Sequence, residues 1–384
     1  MIVPVPGDEE RALAEAVATF ARDLGPRVAA AEEEGTIPRE VIAEVGRLGV
    51  LGMTVPEKDG GLGASSVAFA LVLEELAAVW PSLAVGVSVN SGITEGTLVR
   101  LGTAEQKRRW LPPLMDGSGL GAFALTEPGS GSDAAALRTT ARRDGGGWIL
   151  GGRKMFVTNL RYAPVVIVLA RSGEADPERP HAGISAFLVP TDASGVVIGR
   201  AERKMGLHAS DTSSLTLEDV HVDAGALLGP EGRGFGAVAM AGLDGGRIGI
   251  AAQAVGIARG ALERAERYVR QRRQFGRTLA SFQALRHMIA RARTETDAAR
   301  LLALRAAWLK DQGRPFTKEA SEAKLYASEM AQRATHTAVQ LLGGYGYMRE
   351  SEVERFARDA RATTIYEGTS EVQRLVIARA LRAA

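Results

Sequence analysis

The stretch Phe123–Asp133, which reads FALTEPGSGSD, marks the point at which the sequence changes character. Before it, apolar residues recur at helical spacing, as Leu13, Val17 and Leu24 do in the first segment. After it, short apolar runs such as Val165–Leu169 are separated by Gly, Asp and Pro, which is typical of strands joined by turns. The stretch therefore predicts the boundary between a helical region and a β region.

The sequence has three regions that differ in pattern. Strand-like runs continue to about Pro230 without helices between them, which favours a small barrel or sandwich over a doubly wound sheet. Long helical stripes return after Gly236 and continue to the end of the chain. We therefore expect an α+β multidomain fold: an all-α N-terminal domain (1–120), a middle β-barrel or sandwich domain (121–231) and a C-terminal four-helix bundle (232–384).

Two local features of the first helical segment carry their own expectations. Gly25-Pro26 is expected to interrupt the helix, because both residues disfavour a helix interior. The acidic run Glu32-Glu33-Glu34 is interpreted as a solvated helix end.

The composition excludes several classes of protein. Of 384 residues, 46% are hydrophobic and 24% are charged, as in ordinary globular proteins, and the formal net charge is +2. So balanced a charge argues against nucleic acid and anionic membranes as partners. The absence of cysteine excludes disulfides, thiolate nucleophiles, iron–sulfur clusters and cysteine-based zinc sites.

Other signals also point away from metal and membrane. The five histidines lack metal-ligand spacing, so no metal site is predicted. Acidic residues at Asp8–Glu10 stand where a targeting peptide would be basic, and no apolar run is long enough to span a membrane. These observations favour a soluble, cytoplasmic protein. The Ser-x-x-Lys match at Ser321–Lys324 lies in a helical stretch without companion motifs and is interpreted as chance.

Three segments are dense in residues that could carry chemistry. The first is Phe123–Asp133, whose glycines and hydroxyls could hydrogen-bond a planar ring and a phosphate, although a plain helix-to-strand turn is the alternative. The second is Gly152–Asn159, a strand with an aromatic residue and a hydroxyl two positions apart. The third combines Gln340–Tyr347 with Arg355, Asp359 and Ile365–Glu371. Taken singly, each could be structural.

Taken together and in this order, these segments closely resemble the acyl-CoA dehydrogenase family, over nearly the whole chain. The resemblance implies the same three-part fold and a bound FAD that accepts a hydride during oxidation of an acyl-CoA to a trans-2-enoyl-CoA. It also implies an electron-transfer flavoprotein as the electron acceptor, and a homotetramer built as a dimer of dimers.

The resemblance also implies roles for individual residues. Those around the flavin and its phosphates are Phe123, Leu125, Thr126, Gly131, Ser132, Phe156 and Thr158. Those expected on the pyrophosphate and adenine of a neighbouring subunit's FAD are Arg272, Phe275, Gln283, Gln340, Leu341, Leu342, Gly343 and Gly344. Thr369 and Glu371 are expected to contact FAD beside the catalytic base.

Glu367 is the expected catalytic base, which removes the α-proton of the substrate. Gly368 beside it would let the backbone approach the thioester, and Ser132, Asp244 and Arg247 are candidates for contacts with CoA. Some branches of the family carry the base at the position of Gly246, where glycine cannot serve. Apart from the resemblance, a glutamate at a helix N-terminus interacting with the helix dipole is the simpler interpretation.

Two other functions remain open at this point. An acyl-CoA oxidase, which passes electrons to oxygen, shares these motifs, and a non-catalytic flavoprotein scaffold would share the fold. The stretches Val85–Ser91 and Leu243–Arg247 resemble those of members acting on short, unbranched chains. We therefore expect a substrate of roughly four to eight acyl carbons, because each methylene that fits adds about 0.8 kcal/mol of burial.

Overall fold

The N-terminal third is helical. The computed structural model describes residues 5–174 and 176–382. Its first helices are α1 (Asp8–Glu34), α2 (Arg39–Arg47), α3 (Ser66–Val79), α4 (Pro81–Val87), α5 (Gly96–Leu101) and α6 (Ala104–Met115), and a wider π-helical segment, Ser88–Glu95, joins α4 to α5. Thr103 begins α6 with the capping box that its spacing to Gln106 predicts.

The middle of the chain forms a curled mixed sheet. Its strands are β1 (Ala122–Ala124), β2 (Thr140–Asp144), β3 (Gly147–Thr158), β4 (Val165–Arg171), β5 (Ile184–Pro190), β6 (Val196–Ala201) and β7 (Thr212–Asp223). The order is β1-β4-β2-β3-β7-β6, with β5 also paired to β4. The β1 and β4 strands run parallel, whereas the β2–β3, β3–β7, β4–β5 and β6–β7 pairs are antiparallel.

Strand β4 is apolar from residue 165 to residue 170 because both of its faces are buried there. Val166 and Val168 pack with Trp148 and Phe187 on one face of the sheet. The alternate residues of the strand, such as Ile167, pack against the helices of the N-terminal third on the other face. This double burial accounts for the unbroken apolar run in the sequence.

Long helices make up the last third. They are α7 (Ala241–Gln271), α8 (Gln283–Asp311), α9 (Thr317–Leu342), α10 (Val353–Thr363) and α11 (Ser370–Arg382), and a short hairpin of β8 (Arg273–Gln274) and β9 (Arg277–Thr278) joins α7 to α8. Within the described ranges, none of the helices is long and apolar enough to cross a membrane.

The two helical regions share one hydrophobic core. Residues of α1–α3 and of α7–α10 belong to a single buried apolar cluster. Helices α3 and α7 approach so closely that a Cβ at Gly256 would lie 2.3 Å from the carbonyl oxygen of Glu74, and one at Gly260 would lie 2.2 Å from that of Ala78. Helix α7 is therefore held firmly against the N-terminal region, which fixes the position of the residues it presents.

One local expectation was wrong, and a second holds for two residues of three: Glu33 and Glu34 are exposed at the end of α1, but Glu32 is not. Helix α1 continues through Gly25-Pro26, because its buried stripe, which includes Leu24 and Val28, keeps the helical spacing across the proline. Glu32 is buried rather than solvated, and its carboxylate accepts hydrogen bonds from Trp80 Nε1 at 2.9 Å and from the amide of Ala209 at 3.2 Å. That glutamate ties α1 to the segment that precedes β7.

Candidate active site

Glu367 lies in the turn between α10 and α11, with its backbone in the left-handed region at φ 53°. Gly368 follows it at φ 92°. A non-glycine residue in this conformation is strained by about 1–3 kcal/mol and persists only where its surroundings enforce it. The turn is therefore held by the groups on either side of Glu367.

Those groups are buried polar side chains from three helices. On one side, the Tyr366 hydroxyl donates to Gln253 Oε1 of α7 at 2.5 Å. On the other side, the Gly368 carbonyl accepts two hydrogen bonds of 2.8 Å, from Lys324 Nζ of α9 and from Gln373 Nε2 of α11. The residues before and after Glu367 are thus anchored independently.

The Glu367 carboxylate is buried, and neither of its oxygens has a hydrogen-bond partner among the described residues. Burial raises the pKa of Glu367 to about 7, although the positive charges of Lys324 and Arg247 oppose the shift. Burial also lowers the pKa of Lys324 to about 8. A carboxyl group that changes charge near neutral pH and keeps its oxygens free is suited to accept a proton from a bound molecule.

The space in front of this carboxylate depends on Gly246 of α7. A Cβ at that position would lie 2.1 Å from Glu367 Oε2, closer than any real contact. Glycine is thus needed there for the carboxylate to occupy its place, in addition to being unable to act as a base itself.

Arg247, next along α7, is neutralised by an ion pair. Its Nη1 atom lies 2.5 Å from Asp244 Oδ1, and Asp244 in turn accepts a hydrogen bond of 2.6 Å from Thr317 Oγ1. The same Nη1 lies 3.4 Å from Ser321 Oγ on α9. Arg247 is 4% exposed, so the structure places it beside Glu367 rather than at the surface.

The polar loop predicted from Phe123–Asp133 lies against the end of β3. The amide of Met155 donates to the Thr126 carbonyl at 2.8 Å, which brings the loop next to Phe156. Phe156 has φ 57°, at a register shift between β3 and β7, and its ring is 62% exposed. The structure therefore brings the first two predicted segments together and presents an open aromatic face beside them.

A buried ion pair fixes this loop. Lys154 Nζ lies 2.8 Å from Glu127 Oε1 and 3.2 Å from the Leu125 carbonyl oxygen, and the Lys154 side chain is fully buried. The Glu127 carboxylate also accepts from the amides of Arg138 and Thr139 at 2.6 and 2.9 Å. Although burial acts against it, the combined charge and hydrogen bonds of these partners lower the pKa of Glu127.

Helix α4 contacts both the end of β3 and the residue that precedes Glu367. At the end of β3, Asn159 Nδ2 donates to the carbonyls of Gly86 in α4 and of Gly121, at 2.9 and 3.1 Å. Val85, which precedes Gly86, packs in one small apolar cluster with Ile250 of α7 and Tyr366. A continuous series of contacts therefore connects the exposed Phe156 face to the predicted base.

The residues expected on the FAD of a neighbouring subunit lie near the far end of α7. Arg272 follows this helix, 25 residues after Arg247, which corresponds to about 38 Å of helix. Its guanidinium lies 5.7 Å from the centre of the Tyr345 ring, next to the Gly343–Gly344 pair. Phe275 is 90% exposed at the tip of the hairpin, with φ 53°. This group cannot contact a molecule of small size held by Glu367 in the same chain.

The remaining predicted residues lie at the edges of these clusters. Thr369 caps α11, its hydroxyl accepting weakly from the Val372 amide at 3.4 Å, while Glu371 is exposed. Ser132 and Gly131 are exposed on the loop, and no atom lies within 4 Å of a Cβ placed on Gly131.

Sequence reasoning missed three polar residues of these clusters. Lys154 and Glu127 position the loop, and Lys324 positions the turn that carries Glu367. Each of the two lysines lies in a segment with many apolar positions. Helix and strand periodicity do not distinguish such a lysine from a solvated one. The Ser-x-x-Lys match that includes Lys324 was the available signal.

Comparison with known proteins gives matches along nearly the whole chain. The family models described as acyl-CoA dehydrogenase N-terminal, middle and C-terminal domain match residues 7–118, 122–220 and 232–382. The mitochondrial short-chain specific acyl-CoA dehydrogenase of Bos taurus is 46% identical over 357 residues, 93% of this chain and 86% of that protein.

Solved structures show similarity along the whole chain as well. The butyryl-CoA dehydrogenase of Megasphaera elsdenii is 40% identical, with a TM-score of 0.95 over 99% of this chain and 100% of that one. A structure described as the electron transferring flavoprotein of Acidaminococcus fermentans, from work on flavin-based electron bifurcation, is 41% identical, with a TM-score of 0.95 over 99% of both chains. These similarities, together with the three-part fold, confirm that the chain belongs to the acyl-CoA dehydrogenase family of FAD-dependent enzymes.

Proposed function

We propose that this enzyme converts short- to medium-chain acyl-CoA thioesters to trans-2-enoyl-CoA and passes the electrons to an electron-transfer flavoprotein. The observation that carries the proposal is the buried Glu367 carboxylate, which has no hydrogen-bond partner of its own among the described residues. A structural glutamate at that depth would be paired, as Glu127 is.

In this proposal the Glu367 carboxylate accepts the α-proton of the thioester. Because the pKa of Glu367 is raised to about 7, the group is basic enough to take the proton yet largely ionised in mildly alkaline solution. Its backbone amide donates no hydrogen bond within residues 5–174 and 176–382, so it is free to bind the thioester carbonyl. Such a bond would stabilise the negative charge that develops on that oxygen.

The loop and β3 fit the flavin of FAD. A Cβ placed on Gly129 or Gly131 would meet nothing within 4 Å, so the loop backbone is open to a phosphate or ring. The exposed Phe156 ring offers a face for stacking. Phe123, Leu125, Thr126, Ser132 and Thr158 are proposed to complete this surface. When bound, FAD supplies the acceptor for the β-hydrogen and its electron pair.

The group at the far end of α7 would hold part of the FAD of a second copy of the chain. About 38 Å of helix separates Arg272 from Arg247, so the same FAD molecule is not expected to use both. Next to Arg272 lies a cavity of about 660 Å³ lined in part by Arg264, Arg267 and Tyr345. We accordingly propose that Arg272, Phe275, Gln283 and Gln340–Gly344 act across a subunit contact, in a homotetramer. Size measurement of the FAD-loaded protein tests this part.

The proposals for the substrate and for the electron acceptor are supported by the similar proteins. Proteins described as short-chain specific acyl-CoA dehydrogenase and butyryl-CoA dehydrogenase support a short acyl chain, and the similarity to the Acidaminococcus structure supports a flavoprotein acceptor. We propose that Ser132, Asp244 and Gly368 contact the CoA thioester. Arg247, an earlier candidate for such a contact, is buried and paired with Asp244 beside Glu367. The expected cytoplasmic location stays a prediction.

The decisive experiment is anaerobic bleaching of the FAD-loaded protein. Butyryl-CoA should reduce the flavin within seconds and yield an enoyl thioester detectable by mass. Loss of colour should then be reversed faster by an electron-transfer flavoprotein than by oxygen. An absence of bleaching with every acyl-CoA from four to eight carbons would contradict the proposal, and rapid reoxidation by oxygen would favour an oxidase.

A further inference from the structure

Helix α9 presents two buried polar side chains to the Glu367 turn. Ser321 and Lys324 are three residues apart, so they lie on the same face of the helix, and both are fully buried. Ser321 Oγ contacts Arg247, and Lys324 Nζ donates to the Gly368 carbonyl. The Ser-x-x-Lys match therefore lies at the candidate active site.

Lys324 bonds a backbone carbonyl and not the neighbouring glutamate. Its ammonium is bonded to the carbonyl of the next residue, at 2.8 Å, and forms no ion pair with the Glu367 carboxylate. The positive charge is thus close enough to favour the ionised carboxylate while both carboxylate oxygens stay free. A direct ion pair would occupy the atoms that must accept a proton.

The other charged groups around Glu367 do not replace this charge. On α7, Arg247 is paired with Asp244 at 2.5 Å. On α11, Glu371 is exposed and lies near Arg374. Further along α9, Glu329 pairs with Arg374 at the surface. Lys324 is accordingly the cation near Glu367 that lacks a neutralising carboxylate contact in the part of the chain that the structure describes.

We propose that Lys324 is a positioning residue of the reaction, which holds the Glu367–Gly368 turn through the Gly368 carbonyl and keeps the Glu367 carboxylate ionised without bonding to it. This inference rests on the proposed function, in which Glu367 is the base. It assigns two separable tasks to one side chain: a hydrogen bond that fixes geometry and a charge that sets protonation.

The test is the pH profile of kcat/KM for butyryl-CoA in Lys324 variants of the FAD-loaded enzyme. Lys324→Met removes charge and donor, and the acidic limb of the profile should move to higher pH by about one unit, because a neighbouring cation no longer favours the charged base. Lys324→Arg should move the limb by much less. Lys318→Met, which removes a surface lysine of the same helix, should leave it in place.

A second variant and a second readout separate the alternatives. Lys324→Gln supplies a neutral donor and should shift the limb as Lys324→Met does, even if the latter folds poorly. Infrared difference spectra taken across the pH range, with Glu367→Gln to identify the band, should show the Glu367 carboxyl losing its proton at higher pH in both neutral variants. This readout needs no turnover and holds whether or not butyryl-CoA is a substrate.

Two results would separate the role of Lys324 from the proposed function. If the neutral variants lose activity at every pH while the Glu367 infrared band titrates where it does in the wild type, Lys324 has a structural role alone. If the wild type fails to reduce its flavin but the band still moves in the variants, the proposed function fails and the influence of Lys324 on Glu367 stands.

Discussion

Two buried lysines lie close to two buried glutamates in this molecule, and the outcomes are opposite. At the loop, Lys154 pairs directly with Glu127 at 2.8 Å, and two backbone amides satisfy the rest of the carboxylate. At the turn, Lys324 bonds a carbonyl instead, and the Glu367 oxygens have no partner among the described residues. The pKa is lowered for Glu127 and raised to about 7 for Glu367.

Partner geometry, more than residue type or burial, decides what a buried carboxylate does. Burial acts in the same direction on both glutamates. Hydrogen bonds to the charged form reverse its effect at Glu127, where the carboxylate is part of the scaffold. Without such bonds, Glu367 retains a proton affinity suited to general-base catalysis, at the cost of stability.

The largest expected difference between the two sites is in the free energy of unfolding when each lysine is removed. Lys154→Met leaves Glu127 buried without its cation, which should lower the free energy of unfolding by about 3–5 kcal/mol. Lys324→Met removes one of two donors to a carbonyl, so its cost should be nearer 1–2 kcal/mol. Urea unfolding of both variants at neutral pH measures the difference, and equal losses would remove the distinction between the two sites.

The same substitution at the two glutamates should change stability in opposite directions. The folded-state pKa of Glu367 is raised, so ionisation opposes folding progressively as pH rises from the unfolded value toward 7, and the full penalty is present above pH 7. Glu367→Gln at pH 8 should therefore raise the free energy of unfolding by roughly 1–3 kcal/mol. The folded-state pKa of Glu127 is lowered, so the ionised carboxylate stabilises the fold above the unfolded pKa. Glu127→Gln should therefore lower the free energy of unfolding. Thermal unfolding at pH 8 measures both, and a loss of stability in Glu367→Gln would contradict this interpretation.

A smaller effect, on kcat, is expected when the space in front of Glu367 is filled. Gly246→Ala places a methyl group 2.1 Å from Glu367 Oε2, so the carboxylate must move away from its position. A displacement of that size should reduce kcat roughly tenfold or more while FAD content stays normal. Gly245→Ala is the matched control on the same helix, because its Cβ would meet no atom closer than 3.6 Å. Equal activities of the two variants would show that the carboxylate is free to sit elsewhere.

The smallest expected effect concerns substrate length. Each methylene that the pocket accommodates should raise kcat/KM through about 0.8 kcal/mol of burial, up to hexanoyl- or octanoyl-CoA, and palmitoyl-CoA should be poor. A steady-state series from butyryl-CoA upward measures this. Palmitoyl-CoA or isovaleryl-CoA as the best substrate would overturn the length prediction without affecting the role of Glu367.

Much of the fold follows from patterns that depend on neighbouring residues alone. The apolar run of Val165–Leu169 and the Thr103 capping box were both predictable, since periodicity and caps are local signals. The path of α1 through Pro26 was not, because packing on both sides of the proline outweighs one lost hydrogen bond.

The residues of the candidate site were harder to predict from the sequence than the fold. Glu367 is identified in the sequence by the family resemblance, since an isolated glutamate before a helix has a simpler explanation in the helix dipole. Lys324 lies 43 residues before Glu367 and Gly246 lies 121 residues before it, so their proximity depends on how α7, α9 and α11 pack. Long-range packing of this kind leaves no local pattern in one sequence.

The most direct test of the central claim compares Glu367→Gln with Glu127→Gln in anaerobic flavin reduction by butyryl-CoA. Both variants are loaded with FAD and mixed rapidly with saturating substrate, and the rate of flavin bleaching is followed. We predict a loss of at least about 100-fold for Glu367→Gln, because the base is gone. The rate for Glu127→Gln, whose carboxylate is structural, should stay within roughly tenfold of the wild type. A Glu367→Gln enzyme that reduces its flavin at nearly the wild-type rate would contradict the account.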